Sequence, residues 1–270
     1  MSNEAARFTG NIPQHYDQGL GPMIFVDYAA EMARRVAAYQ PARVLETAAG
    51  TGIVTRQLRN ALPAGSHLTA TDLNPPMLEV ARAKFRPGEK VEFKPADAMA
   101  LPFPDGGFDA VVCQFGVMFY PDKDKSYREV FRVLAPGGHY LFSIWDAHRY
   151  NPFGRVTHDI VGRFFPVDPP QFMNVPFSYA FEPIKASLIE AGFADINAAV
   201  VRLVKEIPDA EAFARGQVYG SPLIDQIQMR GGIEPERVVE ALVEELHREF
   251  GADPGRMPLQ AIMFSAKKPA

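Results

Sequence analysis

Cysteine is almost missing from this chain. Cys113, the only one, lies inside the apolar run AVVCQFGV, so neither a disulfide framework nor a cysteine-rich metal site can be built. That suits a reducing compartment. An excess of basic residues is missing too: 28 Lys and Arg against 32 Asp and Glu leave a formal net charge of −4. Without a basic field to hold a phosphate backbone, nucleic acid is not an expected partner. No apolar run reaches the roughly 20 residues that a membrane-spanning helix needs, and the opening MSNEAARFTGNIPQHYDQGLG has neither the basic start nor the apolar stretch of a secretory signal. These absences lead to the expectation of a soluble cytoplasmic protein, a single domain over residues 1–270 with no metal site and no membrane span. Internal repeats and low-complexity tracts are absent as well.

What is present is alternation. FVDYAAEMARRVAAY, Phe25 to Tyr39, repeats apolar residues at helical spacing until Gln40-Pro41 stops it. RVLET then reads as a buried strand, Val54 to Leu62 as a helix, HLTATDL as a second strand and PPMLEVARAKF as a helix with proline in its first turn. The pattern continues through the strands VEFKPAD and FDAVVCQFG, the helix KSYREVFRVL closed by Pro136-Gly137-Gly138, and the strand HYLFSIWD. Strands alternating with helices imply a doubly wound, mostly parallel sheet covered on both faces.

Beyond Asp146 the texture changes. Residues 147–180 are rich in proline and aromatics and carry one short helical signal, near Arg155 to Phe164. A helix, EPIKASLIEAGF, and a strand, INAAVVRLVKEI, follow, and the closing strand QAIMFSAKK comes only after a helical stretch over 209–251. A helical lobe is therefore expected to interrupt a C-terminal hairpin, giving seven strands with the last one antiparallel and two cap insertions, 147–180 and 209–251.

The turn RVLETAAGTGIVTRQL carries the first site residues. A strand running through a glycine turn into a helix brings backbone N–H groups close to a ligand, and Gly50 and Gly52 permit that approach. Glu46, at the strand end, would repel a pyrophosphate but attract an ammonium, so the ligand should carry a cation there; the alternative is a solvated strand-end acid. Asp72 ends the second strand, where doubly wound folds place an acid on ribose hydroxyls. Asp97 ends the third, where a carboxylate can accept from an adenine amino group while Ala98 and Met99 lie along the ring; the plainer reading is a helix cap or loop residue.

Four stretches in order, VLETAAGTG, TATDLNPPMLEVAR, ADAMALPFPDGGFDAVVCQFGVMFYPD and EVFRVLAPGGHYLFSIWD, resemble the successive motifs of the class I S-adenosylmethionine-dependent methyltransferases, especially the small-molecule branch similar to the ubiquinone and menaquinone C-methyltransferases. The resemblance covers about residues 13–146, the expected cofactor-binding core. It implies that Glu46 faces the methionine amino group, that Tyr16 in an N-terminal lid folds over the methionine end, and that Thr51, Leu73, Met77, Gln114 and Phe115 complete the S-adenosylmethionine site. Ala48 stands where the family commonly has the first glycine and Ala49 where it has a cysteine; the turn survives if the φ of Ala48 stays negative. In GVMFYPD, Met118 and Phe119 leave no histidine ahead of the PD to act as a base.

Methyl transfer from a sulfonium is an in-line displacement, so positioning and exclusion of water can supply most of the acceleration. Should the acceptor need to lose a proton, Tyr16, Tyr120, His148 and His158 are the candidate bases; structural roles are the alternative for each. The lobe with Phe153, Phe164, Phe165, Phe172, Met173, Phe177 and Tyr179 reads as the wall of an apolar acceptor pocket or as the core of a small cap, with Phe153, Phe177 and Tyr179 as the pocket residues. The amphipathic helix EPERVVEALVEELHREF presents Val238, Leu242 and Leu246 on one face, a packed surface helix with a homodimer contact as the second reading. Two other functions stay open: a non-catalytic S-adenosylmethionine-binding module, and a nicotinamide-dependent oxidoreductase, which Glu46 disfavours.

Overall fold

A computed structural model describes residues 3–252 and 254–270. Met1, Ser2 and Asp253, inside the expected domain of 1–270, lie outside the described residues. In chain order the elements are helix α1 (Ile12–His15), a π-helical stretch (Tyr16–Phe25), α2 (Val26–Ala37), β1 (Arg43–Glu46), α3 (Ile53–Ala61), β2 (His67–Asp72), α4 (Pro75–Arg82), β3 (Val91–Pro95), β4 (Phe108–Gln114), α5 (Lys123–Val133), β5 (Leu134–Trp145), α6 (Pro152–Phe164), α7 (Phe181–Glu190), β6 (Ala194–Ile207), α8 (Ala210–Tyr219), α9 (Leu223–Arg230), α10 (Pro235–Phe250) and β7 (Gly255–Lys267). Among the described residues no helix is long and apolar enough to cross a membrane.

The seven strands form one sheet in the order β3-β2-β1-β4-β5-β7-β6. β1 pairs in parallel with β2 (Arg43 beside His67) and with β4 (Val44 beside Ala110), while β7 runs antiparallel between β5 and β6. The cap helices α8, α9 and α10 thus lie between the two strands of the last hairpin, the arrangement expected from the late closing strand. Alternate residues of the central strands feed two cores. Val44, Leu68, Ala110 and Val112 pack under α2 and α3, where Met32, Val36 and Leu58 are buried. Leu45, Val111, Tyr140 and Phe142 pack with Tyr127 and Val130 of α5 and with Ile184 and Leu188 of α7 on the opposite face. Being covered on both faces, β1 and β4 read as continuous apolar runs rather than alternating ones. Sequence order reverses between β1 and β4, and a crevice opens at the carboxyl ends of these strands.

Two elements differ from the sequence expectation. The first helix begins not at Phe25 but at Ile12, through the wide-turn stretch Tyr16–Phe25 that contains Gly19, Gly21 and Pro22. These residues break an α-helical pattern, but Leu20, Met23, Ile24 and Phe25 bury their side chains and hold the segment in place. β5 begins at Leu134, so Pro136-Gly137-Gly138 lies inside a long strand rather than ahead of it. Between β5 and α7, α6 and a 3₁₀ turn (Phe172–Phe177) form the first cap insertion.

The cap meets the N-terminal helix through two glycines. A Cβ on Gly216 of α8 would lie 2.8 Å from the Cα of Gly19, and one on Gly19 would lie 2.7 Å from the carbonyl oxygen of Ala212. Both contacts are with backbone, which cannot rotate aside. Gly216→Ala should therefore push α8 off the N-terminal helix and lower stability by about 1–3 kcal/mol, the usual cost of overpacking. Thermal unfolding followed by circular dichroism would show an unchanged midpoint if this contact did not fix the cap.

Candidate active site

Three openings meet at the carboxyl ends of β1, β2 and β4. The largest, about 980 Å³, is lined by Ala48, Gly50, Asp72, Leu73, Met77, Asp97, Ala98, Met99, Gln114, Phe115 and Tyr120. A smaller one of about 310 Å³ continues inward to Glu46, Thr51, Tyr16 and Gln114. The third, about 580 Å³, is walled by Phe25, Phe115, Met118, Trp145, Phe153 and Phe177 among others. Tyr16 borders all three, and Phe8, Phe115 and Phe119 border both large ones.

Glu46 ends β1 with 1 % of its surface exposed and with Oε2 unpartnered. Burial, with a smaller contribution from the charge of Asp72, pushes its carboxyl up to about 8. Gln114, at the end of β4, donates to the carbonyl of Phe25 at 3.3 Å and leaves its buried Oε1 without a partner. Two orphaned acceptors on one small cavity call for a ligand with several N–H donors, and an ammonium has three.

Asp72 accepts from the backbone N–H of Gly50 at 2.9 Å through Oδ2 and from that of Asn74 at 2.8 Å through Oδ1. Burial raises its carboxyl while those N–H groups pull it back. Oδ1 also accepts from the side-chain amide of Asn74 at 3.3 Å, so Oδ2 is the oxygen that keeps a lone pair for the cleft. Asp97 caps its own loop, accepting from Met99 N–H at 2.8 Å, and also borders the cleft. Asn74 is a residue that sequence reasoning missed: its side chain donates to the carbonyl of Ala6 at 3.0 Å and accepts from the N–H of Phe8 at 3.3 Å, tying the N-terminal segment across the opening.

Gly52 borders none of the three openings; it starts α3 with φ of +76°, and a Cβ there would lie 2.8 Å from the Cβ of Ala81, so it serves helix packing. The φ of Ala48 is +51°, not negative. Tyr179 turns its hydroxyl to the carbonyl of Met118 at 2.5 Å and lies outside the apolar opening. His158 is outside as well, its ring facing His148 at 6.4 Å, and His148 bonds the carbonyl of Met173 at 2.9 Å. Tyr120 borders the cleft, with its hydroxyl 3.3 Å from Thr47 Oγ1 and 3.4 Å from Cys113 Sγ, and burial holds its phenol well above the ordinary range. Burial raises the Tyr16 phenol in the same way. The apolar opening is also not confined to 147–180, because Gln217 and Ser221 of the second insertion border it.

Comparison with known proteins agrees with this layout. The family described as "Methyltransferase domain" matches residues 45–142. The demethylmenaquinone methyltransferase of Thermus thermophilus is 40% identical over 142 residues, 52% of this chain and 61% of that protein. The ubiquinone/menaquinone biosynthesis C-methyltransferase UbiE of Cronobacter sakazakii is 31% identical over 169 residues, 57% of this chain and 67% of that protein. This chain belongs to the class I S-adenosylmethionine-dependent methyltransferase family. It spans between 54% and 67% of the length of such curated relatives. Among solved structures, the phosphoethanolamine N-methyltransferase 2 of Haemonchus contortus in complex with S-adenosyl-L-methionine superposes with a TM-score of 0.63 at 18% identity, over 100% of this chain and 60% of that one, a likeness of fold.

Within this family member the glycine turn carries strain. Ala48 and Phe115, both non-glycine, adopt left-handed backbone at the ends of adjacent strands, a conformation that costs an alanine about 1–2 kcal/mol. Ala48→Gly should relieve that cost and forfeit only one partly buried methyl, so we expect a net gain of about 0.5–1 kcal/mol. A urea midpoint lower than that of the wild type would show that the methyl group matters more than the backbone.

Proposed function

We propose that this protein transfers a methyl group from S-adenosylmethionine to a small, largely apolar acceptor by in-line displacement. The observation that carries the proposal is the junction of a polar cleft, ending in two unpartnered buried acceptors, with a carbon-walled cavity across Tyr16, Phe8, Phe115 and Phe119. The residues fit the cofactor. Glu46 and Gln114 would hold its amino group, Asp72 the ribose hydroxyls, and Asp97 with Ala98 and Met99 the adenine. When bound, S-adenosylmethionine supplies an electrophilic methyl group on a cationic sulfur.

The chain's own contribution is to orient the acceptor and to keep water away, effects worth several orders of magnitude in rate. Proton removal is not part of it. Among the described residues bordering the apolar cavity Tyr16 is the one phenol, and its burial keeps it protonated. A nicotinamide-dependent reaction is less well supported, because it leaves Glu46 without a cation. A module that binds the cofactor without turnover leaves the second cavity unexplained.

Calorimetric titration with S-adenosylhomocysteine and an acceptor screen with mass detection of an added methyl group test the two halves of the proposal. The titration carries a pH signature. In the free site Glu46 is protonated below about pH 8, whereas an ammonium ligand needs the carboxylate, so binding releases a proton. Affinity should rise about tenfold per pH unit between roughly pH 6 and 8 and level off above. Glu46→Gln should bind more weakly at pH 8 and lose the slope. A wild-type affinity independent of pH over that range would remove Glu46 from the cofactor site.

A further inference from the structure

The cavity that the acceptor would enter is bordered by a fully buried amide with an unpartnered nitrogen. Besides the indole of Trp145, the polar side chains bordering it are Tyr16, Gln217 and Ser221. The hydroxyl of Ser221 is engaged, donating to the carbonyl of Gln217 at 2.8 Å and accepting from Leu223 N–H at 3.3 Å. Gln217 differs. It is 2 % exposed, and its Oε1 meets the hydroxyl of Thr157, while its Nε2 is buried with no partner. Thr157 also lies 2.8 Å from the carbonyl of Phe153. The structure thus sets Thr157 Oγ1 against the amide oxygen of Gln217 and leaves the amide nitrogen as the atom without a partner.

We propose that Gln217 is a specificity-determining residue: the cavity selects a neutral molecule with one hydrogen-bond-accepting oxygen, which takes a proton of Gln217 Nε2. The proposal rests on the methyltransferase reading only in calling that molecule the methyl acceptor. A buried amide N–H₂ without a partner is costly, and a carbonyl or hydroxyl oxygen on the ligand would satisfy it. A charged ligand would find no counter-ion, because among the described residues bordering the cavity none is Lys, Arg, His, Asp or Glu. The amide is also held in place. Thr157 belongs to the first cap insertion and Gln217 to the second, and the Gly19–Gly216 contact sets α8 one residue before Gln217.

The test uses two probes of one shape, propiophenone and propylbenzene, which differ by a carbonyl in place of a methylene, with 3-phenylpropanoate as the charged third. Trp145, the only tryptophan, borders the cavity and reports occupancy by fluorescence. Between wild type and Gln217→Leu, the propiophenone affinity should fall about tenfold relative to that of propylbenzene, and Gln217→Met, which keeps the length without the N–H group, should do the same should the leucine variant fail to fold. 3-Phenylpropanoate should not bind measurably. An unchanged ratio, no binding of either neutral probe to the wild type, or binding of 3-phenylpropanoate as tight as that of propiophenone would overturn the proposal. S-adenosylhomocysteine titrated into the same wild-type protein keeps the two readings apart: its failure to bind, beside a shifted ratio, would sink the methyltransferase reading and leave Gln217 in its role.

Discussion

A carboxyl group buried at the end of the central strand, with one oxygen facing nothing, is the constraint around which the rest of the site is arranged. Glu46 cannot move away, because β1 is held by β2 on one side and β4 on the other and is covered by helices on both faces. It cannot ionise cheaply either, since burial disfavours the charged form and Asp72 adds a second negative centre nearby. Without a ligand the acid is neutral at pH 7, and a bound cation would make the ionised form the favoured one. The unpartnered oxygen of Gln114 lies on the same small cavity, reached from the neighbouring strand. A parallel sheet thus does what a loop would do poorly: it fixes two acceptors on rigid elements.

The backbone beside these acceptors is strained in a way that serves the second cavity. Ala48 and Phe115 both have positive φ, and Gly116 lies between them with no room for a side chain, since a Cβ there would lie 2.4 Å from that of Ala48. The left-handed turn at Phe115 sends its ring against Trp145, stacked at 4.0 Å and 7°. Phe115 lines both the cleft and the apolar cavity, and Trp145 behind it lines the apolar cavity. The two cavities are therefore coupled through the local conformation of two strand ends. Strain of this kind persists only where surrounding structure enforces it, and here the sheet does so.

Much of the core was legible in the sequence because its signals are local. The apolar stretches of β1 and β4 mark strands covered on both faces, proline opens α4, and each of Glu46, Asp72 and Asp97 stands at or just beyond the end of a strand. The helical stretch from Ile12 was not legible, because Gly19, Gly21 and Pro22 argue against a helix that tertiary packing nevertheless holds. Nor was the sign of φ at Ala48, which depends on how β1 and β4 end together. In the cap, Phe153 and Phe177 face the cavity while Tyr179 turns toward Met118, a difference set by the 3₁₀ turn and invisible in a list of aromatics. Gln217 carries no signal in the sequence, and it is the packing of α8 against both the N-terminal stretch and α6 that buries it.

The division of labour follows from where the segments come from. Residues proposed for the cofactor sit on the sheet and its first turns, whereas the apolar cavity is closed by three stretches distant in sequence: the N-terminal segment through Phe8, the first insertion through Phe153 and Phe177, and the second through Gln217 and Ser221. Phe8 packs edge-on against Tyr16, Phe119 and Phe172, so it touches the lid, the strand-end loop and the cap at once. Asn74 links it back to the sheet, since the same side chain that holds the backbone around Phe8 also contacts Asp72. Changes in the insertions can therefore reshape the acceptor cavity without touching Glu46, Asp72 or Asp97. Changes at Asn74 or Phe8 cannot be so confined, because there the carboxylate that would hold the ribose and the wall that would hold the acceptor are joined by a single side chain.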